Sequence, residues 1–435
     1  ENLKPTFRAI RNYLAANAIG ITRDEVFASQ LINLIFCKIY DERFTKPDDT
    51  VKFRAGVNES EEDIYNRILT LFDRVKHQYN DVIEVSDSIL LDSRSVKYIV
   101  GELQLYSLKD SSRDAVGDAF EIFIGPSLKG AQGQFFTPRN VVNMVIRMID
   151  PGIDERILDP ACGSGGFLVE SLRYVWNKLE EKAADLGWPE SEIEAEKQRI
   201  AIKNLRGIDK DSFLSKVAKA YLAILGDGRG GIHCENSLES FRNWSAKTFE
   251  DIQPESFDVI VTNPPFGKKL SIDSTEILEL YDLGHRWNSV PGGVFEKGAL
   301  ADKQPPQLLF IERCFQMLRP GGRMGIVLLE SIFGMPKYQY VVNYIRLQAK
   351  INAIVTLPED LFQPHTHAKC CVLICQKYKK NESYSSCDNY DIFMSDVKWC
   401  GHDSRGNITY SYTSTGEKVV LDEIPLVADR YLEMR

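Results

Sequence analysis

An amide, two prolines and an aromatic ring stand together in Thr262-Asn263-Pro264-Pro265-Phe266-Gly267, directly after the apolar run Phe257-Asp258-Val259-Ile260-Val261. A short apolar run closed by a turn signal predicts a buried strand, so Asn263, Pro264, Pro265 and Phe266 are expected at a strand end. A rigid turn explains the prolines. It does not explain the amide and the ring that flank them. The chemistry that needs this set is reaction at an exocyclic amine such as that of adenine. Its lone pair is delocalised into the ring, which makes the nitrogen a poor nucleophile. The Asn263 side-chain oxygen and the Pro264 carbonyl can accept its two N–H groups and favour a pyramidal nitrogen with the lone pair aimed at an electrophile. The prolines preorganise these acceptors, and Phe266 can stack on a base taken out of a helix. No strong base is required, since the nitrogen can lose its proton after attack. Proximity and alignment carry the rate.

A second group lies upstream, in Asp159-Pro160-Ala161-Cys162-Gly163-Ser164-Gly165-Gly166-Phe167. It sits at a predicted strand-to-helix turn, where glycines allow positive φ and close approach of a ligand to the backbone. Dinucleotide binding would require G-x-G-x-x-G and an acid about 20 residues later. Here the spacing is G-S-G-G, an acid leads the loop, and the next strand-end acid, Asp209, comes 50 residues on. No Gly-Lys-Ser/Thr follows, which excludes a P-loop. A leading acid suits a cationic ligand better than a phosphate. S-adenosylmethionine offers an amino group, a sulfonium and a ribose diol. Asp159 could accept from the amino group, and Asp209 could accept both ribose hydroxyls, because an ionised carboxylate offers only acceptors. Asn236 and Ser237, after the next short strand, could meet the adenine edge.

Strands and helices must position these groups. From about residue 133, apolar strands at 157–159, 205–209, 257–261, 323–329 and 351–355 alternate with helices near 165–182, 211–225, 306–318 and 337–348. This rhythm predicts an α/β fold with a doubly wound, mostly parallel sheet, whose ligands bind beyond the carboxyl ends of the strands. Before it, residues 1–130 read as helices. Thr22 and Glu25 form a capping-box pattern, followed by apolar positions at three- and four-residue steps from Val26 to Ile39. Ser60 and Asp63 open a second helix with the stripe Ile64, Ile68, Leu71, Phe72, Val75 and Tyr79. Further helices are expected near 94–108 and 113–124, the latter stopped by Gly125-Pro126. Residues 267–304 read as a long, polar, irregular connection, and 380–435 as a small appendage. The expected division is 1–130, 131–379 and 380–435.

Asp159 to Phe167 and Asn263 to Phe266 resemble the cofactor and catalytic motifs of amino-directed DNA methyltransferases. Gln134-Phe135-Phe136-Thr137-Pro138-Arg139 resembles the family's additional cofactor motif. Its place ahead of the glycine loop is similar to the gamma subgroup. The helical region ahead of it resembles the modification subunit of type I restriction–modification systems, and the resemblance covers about residues 5–375. It implies a Rossmann-like methyltransferase domain that transfers the methyl group of S-adenosylmethionine to the N6 amine of adenine in double-stranded DNA. It implies that Gln134, Phe135, Phe136, Thr137 and Pro138 pack against the methionine end of the cofactor, with Thr137 at its carboxylate. Cys162, Gly163, Ser164, Gly165 and Gly166 would form the loop. Cys162 stands where Ala or Thr is expected and is small enough for the turn. The partners implied are a specificity subunit or fused recognition domain and a restriction subunit or fused nuclease. The helical region 1–130 and the appendage would be docking surfaces. Protein glutamine methylation, whose N-P-P turn usually closes with Tyr, and a non-catalytic cofactor-sensing subunit are the rival readings.

Charge and composition narrow these readings. The chain has 435 residues, with 53 Lys and Arg against 62 Asp and Glu, for a net charge of −9. Phosphate neutralisation supplies most non-specific DNA affinity, so an acidic chain implies few, local contacts. Lys268, Lys269, Lys303 and Arg139 are the candidates. No recognition helix or zinc finger is apparent for reading base edges. No run of 18 apolar residues predicts a membrane span. Nine irregularly spaced cysteines read as free thiols of a cytoplasmic protein. His365 and His367 with Cys370, Cys371 and Cys375 do not match zinc-ligand spacing, and 371–375 alternates like a core strand, so no metal is expected. The chain starts at Glu1 and is expected to be part of a longer polypeptide.

Overall fold

The structure is a computed structural model. It describes residues 3–19, 21, 23–46, 48–108, 137–226, 228–267, 270–291, 294–363, 366–384, 390–413 and 415–435. Two compact units emerge, one within Glu1–Ala131 and Ser212–Gly230, the other within Gln132–Asp211 and Gly231–Arg435.

The first unit contains α1 (Leu3–Asn17), α2 (Asp24–Phe44), α3 (Glu61–Gln78) and α4 (Ser93–Leu103). The predicted cap of α3 forms, with Ser60 Oγ accepting the Asp63 N–H, and Asp92 caps α4 in the same way. The N-cap position of α2 is Arg23, with no side-chain cap; Thr22 lies outside the described residues. The buried residues of α2 run almost unbroken from Phe27 to Ile39, so it is the central helix of the group. The buried Asp41 carboxylate accepts the Lys52 and Phe53 N–H groups and ties the following loop to α2. The expected helix near 113–124 lies outside the described residues.

The second unit is built on an eight-stranded sheet. Its elements are α5 (Arg139–Ile149), β1 (Ile157–Asp159), α6 (Gly166–Leu186), α7 (Glu190–Lys203) and β2 (Leu205–Asp209). The next element, α8 (Ser212–Gly226), groups with the first unit, where Lys216 Nζ pairs with Asp87 at 2.8 Å. The second unit resumes with β3 (Ile232–Cys234), α9 (Ala246–Asp251), β4 (Phe257–Thr262), α10 (Thr275–Leu278), β5 (His285–Val290), β6 (Val294–Leu300), α11 (Pro306–Met317) and β7 (Leu318–Leu329). It ends with α12 (Ser331–Gly334), α13 (Gln339–Gln348), β8 (Ala349–Thr356), β9 (Cys370–Lys377), β10 (Phe393–Asp396), β11 (Tyr410–Tyr412), β12 (Lys418–Val420) and α14 (Ile424–Glu433).

The sheet order is β10-β8-β9-β7-β4-β1-β2-β3. All pairings are parallel except those of β9, which runs antiparallel to β7 and β8. This is the expected doubly wound, mostly parallel sheet. From β1 the chain steps outward through β2 and β3, then returns to place β4 on the other side of β1. The reversal between β1 and β4 is the crevice where such sheets bind ligands. Both sequence motifs leave the sheet there.

Two expectations fail. Residues 267–304 are not irregular throughout, because β5 and β6 form an antiparallel hairpin. Polar and charged side chains interrupt both strands, so no two-residue alternation marks them. Residues 380–435 are not a separate appendage. β10 extends the main sheet beside β8. The Asn140 amide donates to Asp422 at 2.9 Å, and Arg147 pairs with Asp429, so α14 is fixed to α5. On its sheet side, α5 meets β7 so closely that a Cβ on Gly325 would stand 2.6 Å from Val145 Cγ1.

Candidate active site

Asp159, Asp209 and Thr262 end β1, β2 and β4, and the loops that follow them build the site. Gly163 and Gly165 adopt φ of +52° and +88°, which L side chains rarely reach. The loop is laced from the neighbouring strand ends. Asp209 Oδ2 accepts the Gly163 N–H at 2.9 Å, and its Oδ1 accepts the Asp211 N–H at 2.9 Å. The buried Ser237 hydroxyl donates to the Pro160 carbonyl. The Cys162 N–H donates to the Ile208 carbonyl at 2.9 Å. Gly207 lies beneath, where a Cβ would stand 2.7 Å from Ile232 and Leu168 and 3.1 Å from Cys162 Cβ. By contrast, among the described residues nothing lies within 4 Å of where a Cβ on Gly163 would stand. The loop is held from below and open at Gly163.

Electrostatically the site is an acid pair. Asp159 is 1 % exposed. Burial pushes its carboxyl up to about 7, opposed by the neighbouring Thr262 hydroxyl and by the Ala161 N–H that donates to it, and reinforced by the Asp209 charge. Burial also raises the Asp209 carboxyl, against the two backbone N–H groups it accepts. Two acids pushed upward in one crevice favour a cation. Burial holds the Cys162 thiol protonated, well above its ordinary range, so it is a small filler of the turn.

At the end of β4 the Asn263 side chain is fixed in one direction. Its Nδ2 donates to Thr137 Oγ1 at 2.9 Å. Its Oδ1 is buried and has no hydrogen-bond partner among the described residues. A buried acceptor without a partner costs free energy, so this oxygen is suited to an incoming donor. Pro264 is buried and Pro265 half-buried. Phe266 is 3 % exposed and meets Phe362 edge to face, with centroids 5.6 Å apart. The ring forms a wall of the turn rather than an open stacking platform.

The remaining candidates lie as follows. Asn236 shapes its own turn, with Oδ1 accepting the Leu238 N–H and Nδ2 donating to Glu239. Arg139 pairs with Glu170 at 3.0 Å. Lys303 is exposed between β6 and α11. Gln134, Phe135, Phe136, Lys268, Lys269 and His365 lie outside the described residues. Cys371 and Cys375 belong to the main hydrophobic core.

Sequence reading passed over Arg313, which is 1 % exposed. It donates to the Tyr281 hydroxyl at 2.8 Å and to the Glu239 carbonyl at 2.8 Å, and it stacks on Phe241. It therefore ties the loop after β3 to the loop before β5. A small apolar cluster of Leu238, Leu278, Tyr281, Leu309 and Phe310, with Ala161 packed against it, underlies the same loops. The available signal was one arginine inside the apolar helix Leu308-Leu309-Phe310-Ile311-Glu312-Arg313-Cys314-Phe315.

A doubly wound sheet with an acid-led glycine loop and an Asn-Pro-Pro-Phe turn at its switch point defines a methyltransferase fold. Residues 111–407 match the N-6 DNA Methylase family, and the chain belongs to that family. It is 24% identical over 352 residues to the methylase subunit of the type I restriction enzyme EcoEI from Escherichia coli, covering 76% of this chain and 63% of that protein. It is 27% identical over 363 residues to the methylase subunit of the type I restriction enzyme MjaVII from Methanocaldococcus jannaschii, covering 81% and 56%. The chain thus spans about three fifths of the length of these relatives. The fold is similar to that of the type I restriction-modification system methyltransferase subunit from Streptococcus thermophilus, with a TM-score of 0.62 and 16% identity over 100% of this chain and 93% of that one. Among the described residues no helix is long and apolar enough to cross a membrane.

Proposed function

We propose that this chain transfers the methyl group of S-adenosylmethionine to the N6 amine of adenine in DNA, as the modification component of a restriction–modification system. The observation that carries the reading is Asn263 Oδ1, a buried acceptor without a partner among the described residues, on an amide whose other end is held by Thr137. The open floor at Gly163 and the two raised acids fit a cationic cofactor bound over the glycine loop. S-adenosylmethionine, when bound, supplies an electrophilic methyl group on sulfur. Asn263 Oδ1 accepts one adenine N–H and the Pro264 carbonyl the other, which turns the nitrogen lone pair toward that methyl group. Asp159 and Asp209 hold the cofactor's cationic and hydroxyl-bearing ends. The methylated nitrogen loses its extra proton after attack, so no side chain need act as a strong base.

The acidic chain and its few cationic candidates favour sequence recognition by a specificity subunit or fused domain, with a restriction subunit or fused nuclease as the cleaving partner. Residues 1–130 and 380–435 are the surfaces assigned to docking. The test is methylation of a plasmid library by the chain alone and with the neighbouring specificity polypeptide. N6-methyladenine and no 5-methylcytosine is the expected product, at a defined site only when the partner is present. Methylated protein with unmodified DNA would instead support glutamine methylation. Robust modification at one motif by the chain alone would remove the need for a partner.

The Asp159 environment gives a pH prediction. With its carboxyl raised to about 7, Asp159 is mostly protonated at pH 6. A cofactor cation stabilises the carboxylate, so binding at pH 6 expels most of one proton and affinity rises with pH until about 7. Calorimetry at pH 6 in two buffers of different ionisation heat measures this. Binding heats that do not depend on the buffer would contradict it.

A further inference from the structure

The β5–β6 hairpin carries chemistry that the reaction at Asn263 does not use. Beside it is a cavity of about 320 Å³, lined by His285, Arg286, Trp287, Lys303, Gln304 and Tyr340 among others. Trp287 and Tyr340 face each other with planes only 13° apart and centroids 6.1 Å apart. Trp287 Nε1 donates to the Asp282 carbonyl at 3.1 Å, which fixes the ring by its polar edge and leaves its faces for packing. Gln304 Nε2 donates to the Leu283 carbonyl at 2.8 Å, and His285 Nδ1 lies 3.0 Å from the Tyr281 carbonyl. The wall is therefore built from fixed groups.

Two cations stand at its edge. Arg286 pairs with Asp302 at 2.6 Å, with side chains 60% and 86% exposed. An ion pair this exposed is weak, so the guanidinium can exchange its partner for a stronger anion at little cost. Lys303 is exposed and has no ion-pair partner among the described residues. Asp302 is the one carboxylate lining the cavity. Parallel aromatic faces with exposed cations beside them match a ligand that has a flat ring at one end and an anion at the other. A nucleotide is such a ligand.

Topology places the cavity where DNA would arrive. The hairpin lies in the connection that leaves the Asn-Pro-Pro-Phe turn, closed at its base by the Ile272–Gln304 bridge. Tyr340 lies in α13, in the connection beyond the carboxyl end of β7. The wall thus comes from the loops on the catalytic edge of the sheet.

We propose that this cavity binds one unpaired nucleotide of the DNA, its base against Trp287 and Tyr340 and its phosphate at Arg286 and Lys303. The proposal rests on the reading of the chain as a DNA methyltransferase. The test uses the full-length protein and a five-nucleotide single-stranded oligothymidylate as probe, with affinity read by anisotropy across a salt series. Trp287→Ala is expected to weaken binding about tenfold, as for loss of one base stack, and Trp287→Phe to restore most of it. Arg286→Gln with Lys303→Gln is expected to flatten the salt slope by about 0.7, the value for one neutralised phosphate on a single strand. Cofactor affinity, measured by calorimetry, should be unchanged in all three and reports intact folding. Unchanged oligonucleotide affinity and salt slope, with adenine methylation intact, would overturn this proposal alone. Loss of binding to the specificity polypeptide, with oligonucleotide affinity unaltered, would overturn it in favour of a protein contact. Failure to make N6-methyladenine in the unsubstituted protein would overturn the reading beneath it.

Discussion

Asn263→Ala should reduce methyl transfer by roughly 10²–10³-fold or more, the loss typical of removing one preorganised group that binds the reacting atoms. Cofactor affinity should stay within about twofold, because the proposed mechanism assigns the Asn263 oxygen to the base and its Nδ2 is held by Thr137. A tritium-methyl assay beside calorimetry with S-adenosylmethionine separates the two quantities. A fully active variant would end the proposed mechanism. Thr137→Val is the informative companion. The Thr137 hydroxyl accepts from Asn263 Nδ2, so a methyl group in its place frees the amide to turn and should lower kcat without raising the cofactor KM. Thr137→Ser should recover activity. If Thr137 chiefly held the cofactor carboxylate, as the family resemblance implies, KM for the cofactor would rise instead.

Asp209→Ala should act on the other half of the site. Its carboxylate holds the Gly163 and Asp211 N–H groups, and removing it leaves two backbone donors without their acceptor. A buried donor left unsatisfied costs about 1–3 kcal/mol; these two are only part-buried, so the melting temperature should fall by less than that full cost implies. Cofactor affinity should weaken by about tenfold or more, since about 1.4 kcal/mol corresponds to a factor of ten. There is a second effect of known sign. The Asp209 charge helps to raise Asp159. Its loss lowers the Asp159 carboxyl only slightly, since burial, the main cause, remains, and proton release on cofactor binding at pH 6 should shrink a little. A variant that binds the cofactor normally and releases as many protons as before would show that the two acids act independently.

These expectations could be framed from sequence because both motifs are local. The glycine loop and the Asn-Pro-Pro-Phe turn each follow a short apolar strand, and the reversal of the sheet between β1 and β4 brings them together. The pairing of Thr137 with Asn263 was not legible, because 126 residues separate them and only the packing of α5 on the sheet joins them. The β5–β6 hairpin was missed for a different reason. In His285-Arg286-Trp287-Asn288-Ser289-Val290 polar groups occupy both faces of the strand, so hydrophobic alternation, the signal on which strand recognition depends, is absent. β10 was missed because it is an edge strand of four residues with two half-buried positions, too short to impose a pattern.

The attachment of α14 to α5 sets an order of events during synthesis. The Asn140–Asp422 and Arg147–Asp429 bonds each span 282 residues. The second partner therefore leaves the ribosome roughly 15–55 s after the first at rates of about 5–20 residues per second. Throughout that interval α5, with Val141, Val142, Met144, Val145, Ile146, Met148 and Ile149 all destined for burial, lacks its outer cover. A nascent chain stalled before residue 424 should therefore be a client for chaperones that bind exposed apolar helices. It should also be a poor enzyme, since α5 begins two residues after Thr137.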